Sequence, residues 1–188
     1  VITKLAMRIN KPVYAYDELT VKTYNNRVVG ITYEREFEFY RDGEEVIHAT
    51  TQWVVVKYDT RKLVRPREFP FPIPEHNFDC ARLDIPRNLD AQELPTCAER
   101  TVRLSDLDEN DHLNNCVYSD ITLDHIPFGR LEDYVSEMRI IFHHEAKIND
   151  VLTIGSAEKE GRYVLSAHNS TSDALCFEAD CIFGKISR

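Results

Sequence analysis

Apolar and charged residues alternate over most of residues 31–40. Tyr33, Phe37 and Phe39 share one parity, and Glu34, Glu36 and Glu38 the other. A period of two sends these sets to opposite faces of a strand. The run 30–40 is followed by Arg41-Asp42-Gly43, a hairpin turn in which Gly43 supplies positive φ. A second β run over 45–58 follows, richest in β-formers from Thr51 to Tyr58. The runs 162–169 and 174–186 repeat this pairing near the other end. Between the two pairs, residues 115–125 carry helical spacing. Val117 and Ile121 are i,i+4 partners there, and Pro127 stands just beyond the end. The pattern predicts antiparallel meanders with a helix, an α+β arrangement rather than βαβ units.

A short repeat underlies this symmetry. Met7-Arg8-Ile9 precedes Asp17-Glu18-Leu19-Thr20-Val21, and Met138-Arg139-Ile140 precedes Asp150-Val151-Leu152-Thr153-Ile154. Strand-like runs of similar length follow each copy, which predicts two duplicated units. Residues 1–65 form the first unit and 66–98 a linker rich in proline: Pro66, Pro70, Pro72, Pro74, Pro86 and Pro95. Residues 99–188 form the second unit, read as a strand over 100–104, a loop, the helix and four strands. The first unit has no counterpart of that opening strand and helix, so these are expected upstream of Val1, making the first unit N-terminally truncated.

The loop before the helix concentrates polar chemistry. In residues 105–118, Asp108, Asn110 and His112 sit at alternate positions, on one face if the segment is extended. Asn114 is placed as an N-cap. A carboxylate, an imidazole and a helix N-terminus together can supply a base, a water-orienting group and an anion site. Taken singly, each has a plainer reading. Asp108 can form an Asx turn, His112 can be a satisfied histidine, Asn114 and Asn115 can be turn and cap residues, and Glu145 can be a solvated strand residue.

Composition narrows the field. A net charge of −9 argues against a nucleic-acid partner. No apolar run is long enough to span a bilayer. The five cysteines, Cys80, Cys97, Cys116, Cys176 and Cys181, are scattered without a C-x-x-C, which fits a reducing compartment better than a disulfide or zinc framework. His143-His144-Glu145 invites a metal reading, but adjacent histidines on a strand diverge, so no metal and no cofactor are expected. The acids Glu34, Glu36 and Glu38 read as a solvated strand face. Arg61, Lys62, Arg65 and Arg67 form the tight basic cluster, either a charged turn or a contact for an acidic partner.

Residues 106–118 closely resemble the D-L-D-x-N-x-H-x-N-N-x-x-Y signature of acyl-acyl carrier protein thioesterases. Trp53-Val54-Val55 followed by Arg65-Pro66 is similar to the end of that family's first unit, and Phe142-His143-His144-Glu145 to the strand bearing a second catalytic carboxylate. The resemblance implies a tandem (double) hotdog, each unit a helix wrapped by an antiparallel sheet. It implies hydrolysis of acyl-acyl carrier protein to free fatty acid, ending chain elongation. By position it assigns Asp108, Asn110, His112 and Glu145 as catalytic. The start of the helix (Asn114, Asn115, Cys116) would hold the thioester oxygen. The position discussed for a nucleophilic cysteine is Ala146 here, which removes that route. Acyl carrier protein is the implied partner, a homodimer is left open, and the cytoplasm, or the plastid stroma in a plant, is the implied location. Competing readings are an acyl-CoA thioesterase or enoyl-thioester hydratase of the same fold, and a non-catalytic acyl-binding module.

Overall fold

The computed structural model describes residues 1–71, 82–126 and 133–186. Pro72, Pro74, Cys80 and Pro127, named above, lie outside them. The chain divides into two units, Val1–Ile85 and Pro86–Arg188.

The first unit is built on strands β1 (Ile2–Ile9), β2 (Thr20–Val29), β3 (Thr32–Arg41) and β4 (Glu44–Trp53). All pair antiparallel in the order β2-β3-β4-β1. The run expected over 45–58 breaks after Trp53. Val55–Val56 (β5) turns away to pair with Leu63–Val64 (β6). The β3–β4 hairpin turns on Asp42 and Gly43, both at positive φ (51° and 82°), the geometry of a two-residue turn that follows strand twist. Among the described residues this unit has no α-helix.

The second unit comprises β7 (Thr96–Thr101), α1 (Asn115–Asp124), β8 (Asp133–Phe142), β9 (Val151–Lys159), β10 (Arg162–Asn169) and β11 (Ala174–Lys185). Its order is β7-β9-β10-β11-β8, all antiparallel. The four strands β9-β10-β11-β8 repeat the order of β2-β3-β4-β1. Met138-Arg139-Ile140 lies in β8 as Met7-Arg8-Ile9 lies in β1. The helix lays one face on the sheet, burying Tyr118, Ile121 and Thr122. The Tyr118 ring meets Phe142 and Phe177 edge-on at 5.3 and 4.8 Å. Ile140, Leu152, Ile154, Leu165 and Phe177 complete the core. This is a hotdog unit. Two boundaries move from the sequence expectation. The opening strand is Thr96–Thr101, not 100–104, because Leu104–Asp106 coils into a 3-10 turn. β8 ends at Phe142, so Glu145 lies in the loop beyond the strand.

The solvated face expected for Glu34, Glu36 and Glu38 is a correction of more consequence: Glu34 and Glu36 are buried, at 2% and 0% exposure. Cross-strand register places Glu34 opposite Gln52, Glu36 opposite Thr50 and Glu38 opposite His48. Glu36 accepts from Thr50 Oγ1 (2.6 Å), Asn26 Nδ2 (2.9 Å) and His48 Nε2 (3.0 Å). Glu34 accepts from Arg27 Nε (2.6 Å) and Gln52 Nε2 (3.0 Å). Glu38 accepts from the Tyr24 and Tyr40 hydroxyls at 2.5 and 2.8 Å. Buried carboxylates are tolerable only when satisfied in this way. Leu83 N–H donates to Thr50 Oγ1 (2.8 Å), bringing the chain at Leu83 onto the same face. Among the described residues, Glu38, Glu45 and His48 form the one group whose ligand atoms are near enough (within 4.8 Å) for a metal ion. Their charges are already met within the sheet: His48 lies between Glu36 and Glu45, and Lys22 faces Glu38.

The hydrogen bond to Glu36 raises the His48 pKa above the ordinary imidazole value. Burial opposes that shift, and Glu45 adds to it. A raised folded value means that folding favours the protonated ring. That stabilisation is complete below the unfolded value of about 6.5 and is lost as pH rises through the folded value. The urea midpoint should therefore fall as pH climbs across that window, and His48→Gln should flatten the slope. Identical slopes in both proteins would refute the ionic pairing.

Candidate active site

Residues 106–118 do not run extended. Leu107 and Leu113 form a β-bridge, and the chain between them closes into a tight loop with Asp108 N–H on His112 C=O (2.8 Å) and Asp111 at φ 60°. The Asp108 carboxylate drives this bend. Its Oδ1 accepts from the backbone N–H groups of Asn110 (2.8 Å) and His112 (3.3 Å), and the Asn110 amide approaches Oδ2 at 3.4 Å. The Asx turn, the plainer reading of Asp108, is therefore present. Partial burial alone would raise its pKa. The Asn110 amides, the His112 N–H and the nearby His112 charge outweigh burial and hold it below the usual carboxylate value.

The loop is tied on both sides. Asn114 N–H donates to Asp106 C=O (2.9 Å), and Leu113 N–H donates to Ala146 C=O (2.8 Å). The second bond sets the loop against the segment following β8, where His143 and His144 N–H groups both reach Cys176 C=O (2.8 and 3.2 Å). As a result His112 Nε2 lies 3.2 Å from Glu145 Oε2, with Glu145 exposed and His112 half-buried. The structure thus brings together His112 with Glu145, and Asp108 with Asn110. The two acids do not share a strand face.

At the helix start, Asn114 is the N-cap, as the sequence indicates. Its Oδ1 accepts from Cys116 N–H (3.0 Å), and its C=O from Val117 N–H (2.9 Å). The Cys116 amide is thereby engaged by the cap. The Asn115 amide takes no part in either bond. The Cys116 thiol is free and exposed. Ala146 is fully buried, so a side chain at this position faces the core. His143 pairs with Glu178 (2.9 Å) while His144 reaches Leu175 C=O (3.0 Å), so the two rings engage different partners. The sequence reading gave no task to Asp106 or Tyr118. The first is buried beneath the loop, and the second packs Phe142 and Phe177 behind it. The Arg103-x-x-Asp106 spacing of a turn closed by its own carboxylate was the signal for Asp106.

In the first unit a separate cleft of about 330 Å³ is lined largely by Tyr33, Trp53, Val54, Val55, Val56 and Phe69. The basic cluster sits at the β5–β6 turn and just after it, with Arg61, Lys62, Arg65 and Arg67 all exposed.

Comparison with known proteins adds the following. The model of the acyl-ACP thioesterase N-terminal domain matches residues 1–68, and that of the C-terminal domain matches 90–182. The oleoyl-acyl carrier protein thioesterase 2, chloroplastic, of Arabidopsis thaliana is 26% identical over 146 residues, covering 69% of this chain. This chain spans 39% of that relative's length. Among solved structures, an acyl-ACP thioesterase from Bacteroides thetaiotaomicron aligns with a TM-score of 0.82 at 20% identity, covering 98% of this chain and 76% of its own. The 12:0-ACP thioesterase from Umbellularia californica aligns with a TM-score of 0.75 at 16% identity, covering 99% and 75%. At these identities the structural matches establish the fold.

Losing the cap should be measurable. Asn114→Ala should cost about 1 kcal/mol of stability in urea denaturation. No loss would mean that the cap bond to Cys116 contributes nothing in solution.

Proposed function

This chain belongs to the acyl-ACP thioesterase family, and we propose that it hydrolyses the thioester of acyl-acyl carrier protein, releasing free fatty acid and the carrier thiol. The observation that carries the reading is the 3.2 Å pair of His112 and Glu145, formed from the two sequence segments that bear the family pattern.

In this mechanism Glu145 takes a proton from water as the water oxygen attacks the thioester carbonyl. The Asn115 N–H, at the positive end of the helix and outside the cap bonds, donates to the oxyanion that forms. Collapse of the tetrahedral intermediate breaks the carbon–sulfur bond. The proton held by Glu145 passes through His112 Nε2 to the leaving thiolate. Asp108 keeps its negative charge and its bonds to the Asn110 and His112 amides, so it shapes the loop rather than attacking the carbonyl. Asn110 buttresses that carboxylate. The exposed cluster of Arg61, Lys62, Arg65 and Arg67 offers an acidic carrier a local positive surface on a chain of net charge −9. The cytoplasm or plastid stroma, where such carriers work, is the proposed location.

The test is product analysis with acyl carrier protein and CoA thioesters of several chain lengths. Free acid together with free thiol supports hydrolysis. A hydrated acyl chain still joined as thioester would mark a hydratase, and tight binding without turnover an acyl-binding module. Glu145→Gln should lower kcat by about 10²–10⁴-fold with the fold intact. Undiminished release by this variant would remove Glu145 from the mechanism. Neutralising Arg61, Lys62, Arg65 and Arg67 together should raise KM for the carrier substrate and weaken its salt dependence while sparing kcat. An unchanged KM would place docking elsewhere.

A further inference from the structure

We infer that Asp106 is a positioning residue, the latch that holds the His112 loop and the helix start in working register with Glu145. The inference rests on the hydrolytic reading of the site. Asp106 is 8% exposed and uses every polar group it has. Its Oδ2 accepts from Arg103 N–H (2.9 Å), closing the 3-10 turn Leu104–Asp106. Its Oδ1 accepts from Arg100 on β7 (2.9 Å). Its own N–H donates to Arg103 C=O (3.0 Å), and its C=O receives Asn114 N–H (2.9 Å).

One residue therefore joins the edge strand, the turn and the N-cap of α1. The turn and the N-cap are the two feet of the loop closed by Leu107 and Leu113. Arg100 reaches further, with its other guanidinium nitrogen 3.9 Å from Asp124 at the far end of the helix. From Asn114 the path to the reacting groups is short. Leu113 is its neighbour, Leu113 N–H holds Ala146 C=O, and Ala146 follows Glu145. Without the carboxylate, Arg100 loses its closest acid and Arg103 N–H its acceptor, so the near foot of the loop is no longer tied to β7. His112 then has no fixed distance to Glu145, although neither residue has been altered. A displacement of about 1 Å is enough to cost roughly 10²-fold in rate.

The experiment compares kcat and KM on acyl-carrier-protein thioesters for the full protein and its Asp106→Ala, Asp106→Asn and Asp180→Asn variants, well below each melting temperature. Asp180 is a buried carboxylate of the same unit, held by Arg139 and Arg162 within the sheet, and reports general loss of stability. Asp106→Ala should lower kcat by about 30–100-fold with little change in KM. Asp106→Asn keeps an acceptor for Arg103 N–H and should recover part of the rate. Asp180→Asn should lower the melting temperature while leaving kcat within about twofold. Wild-type kcat in Asp106→Ala, or an equal loss in Asp180→Asn, overturns the latch. If the wild-type protein hydrolyses no thioester, the proposed function falls instead, and amide exchange decides the latch separately. Faster exchange at His112–Asn114 in Asp106→Ala supports it, and unchanged exchange overturns it.

Discussion

The candidate site depends on one backbone hydrogen bond, from Leu113 N–H to Ala146 C=O at 2.8 Å. It joins two segments more than thirty residues apart in sequence. Neither segment is part of a regular strand where the bond forms. The side chains that flank it, His112 and Glu145, thereby face each other. A main-chain bond tolerates changes of side chain on either side, so the pairing geometry is set before the identity of any polar group matters. Leu113 and Ala146 are both buried, which keeps water from competing for the bond.

The same economy governs the sheets. Each unit buries carboxylates on a strand face and satisfies them across the ladder. In the first unit Glu34 and Glu36 find amide, hydroxyl, imidazole and guanidinium donors. In the second, Asp180 is gripped by Arg139 and Arg162, and Glu178 by His143. Leaving such an acid unpaired would be strongly destabilising, so these positions tolerate loss of a partner far less well than their polar character implies.

Much of this was legible from sequence, and the failures share a cause. Alternation exposed β3, and the Asp42-Gly43 and helical spacings exposed the turn and α1, because those signals are local. The duplication was legible from seven or eight matched positions, and the strand orders of the two units agree with it. Alternation could not tell a solvated acid at position 36 from a buried one, since burial there depends on Thr50, Asn26 and His48 arriving from other strands. The D-x-N-x-H spacing was legible as a candidate site, but the extended shape considered for it is not the one the chain adopts. An aspartate able to bind amides two and four residues ahead bends the chain before strand geometry can form. Glu145 was found only through family likeness, because nothing local distinguishes it from other acids on the chain.

The buried row of acids in the first unit also acts as an alignment key during folding. Moving β3 against β4 by two residues would leave every aromatic ring on its original face, so hydrophobic patterning cannot sense that error. The acids can. Either slip moves Glu34 off Gln52 and Glu36 off Thr50, the residues of β4 that donate to them in the native register. The native pairing alone sets Gln52 opposite Glu34 and Thr50 opposite Glu36 as donors, so polar groups proof-read a strand pairing that apolar ones leave degenerate.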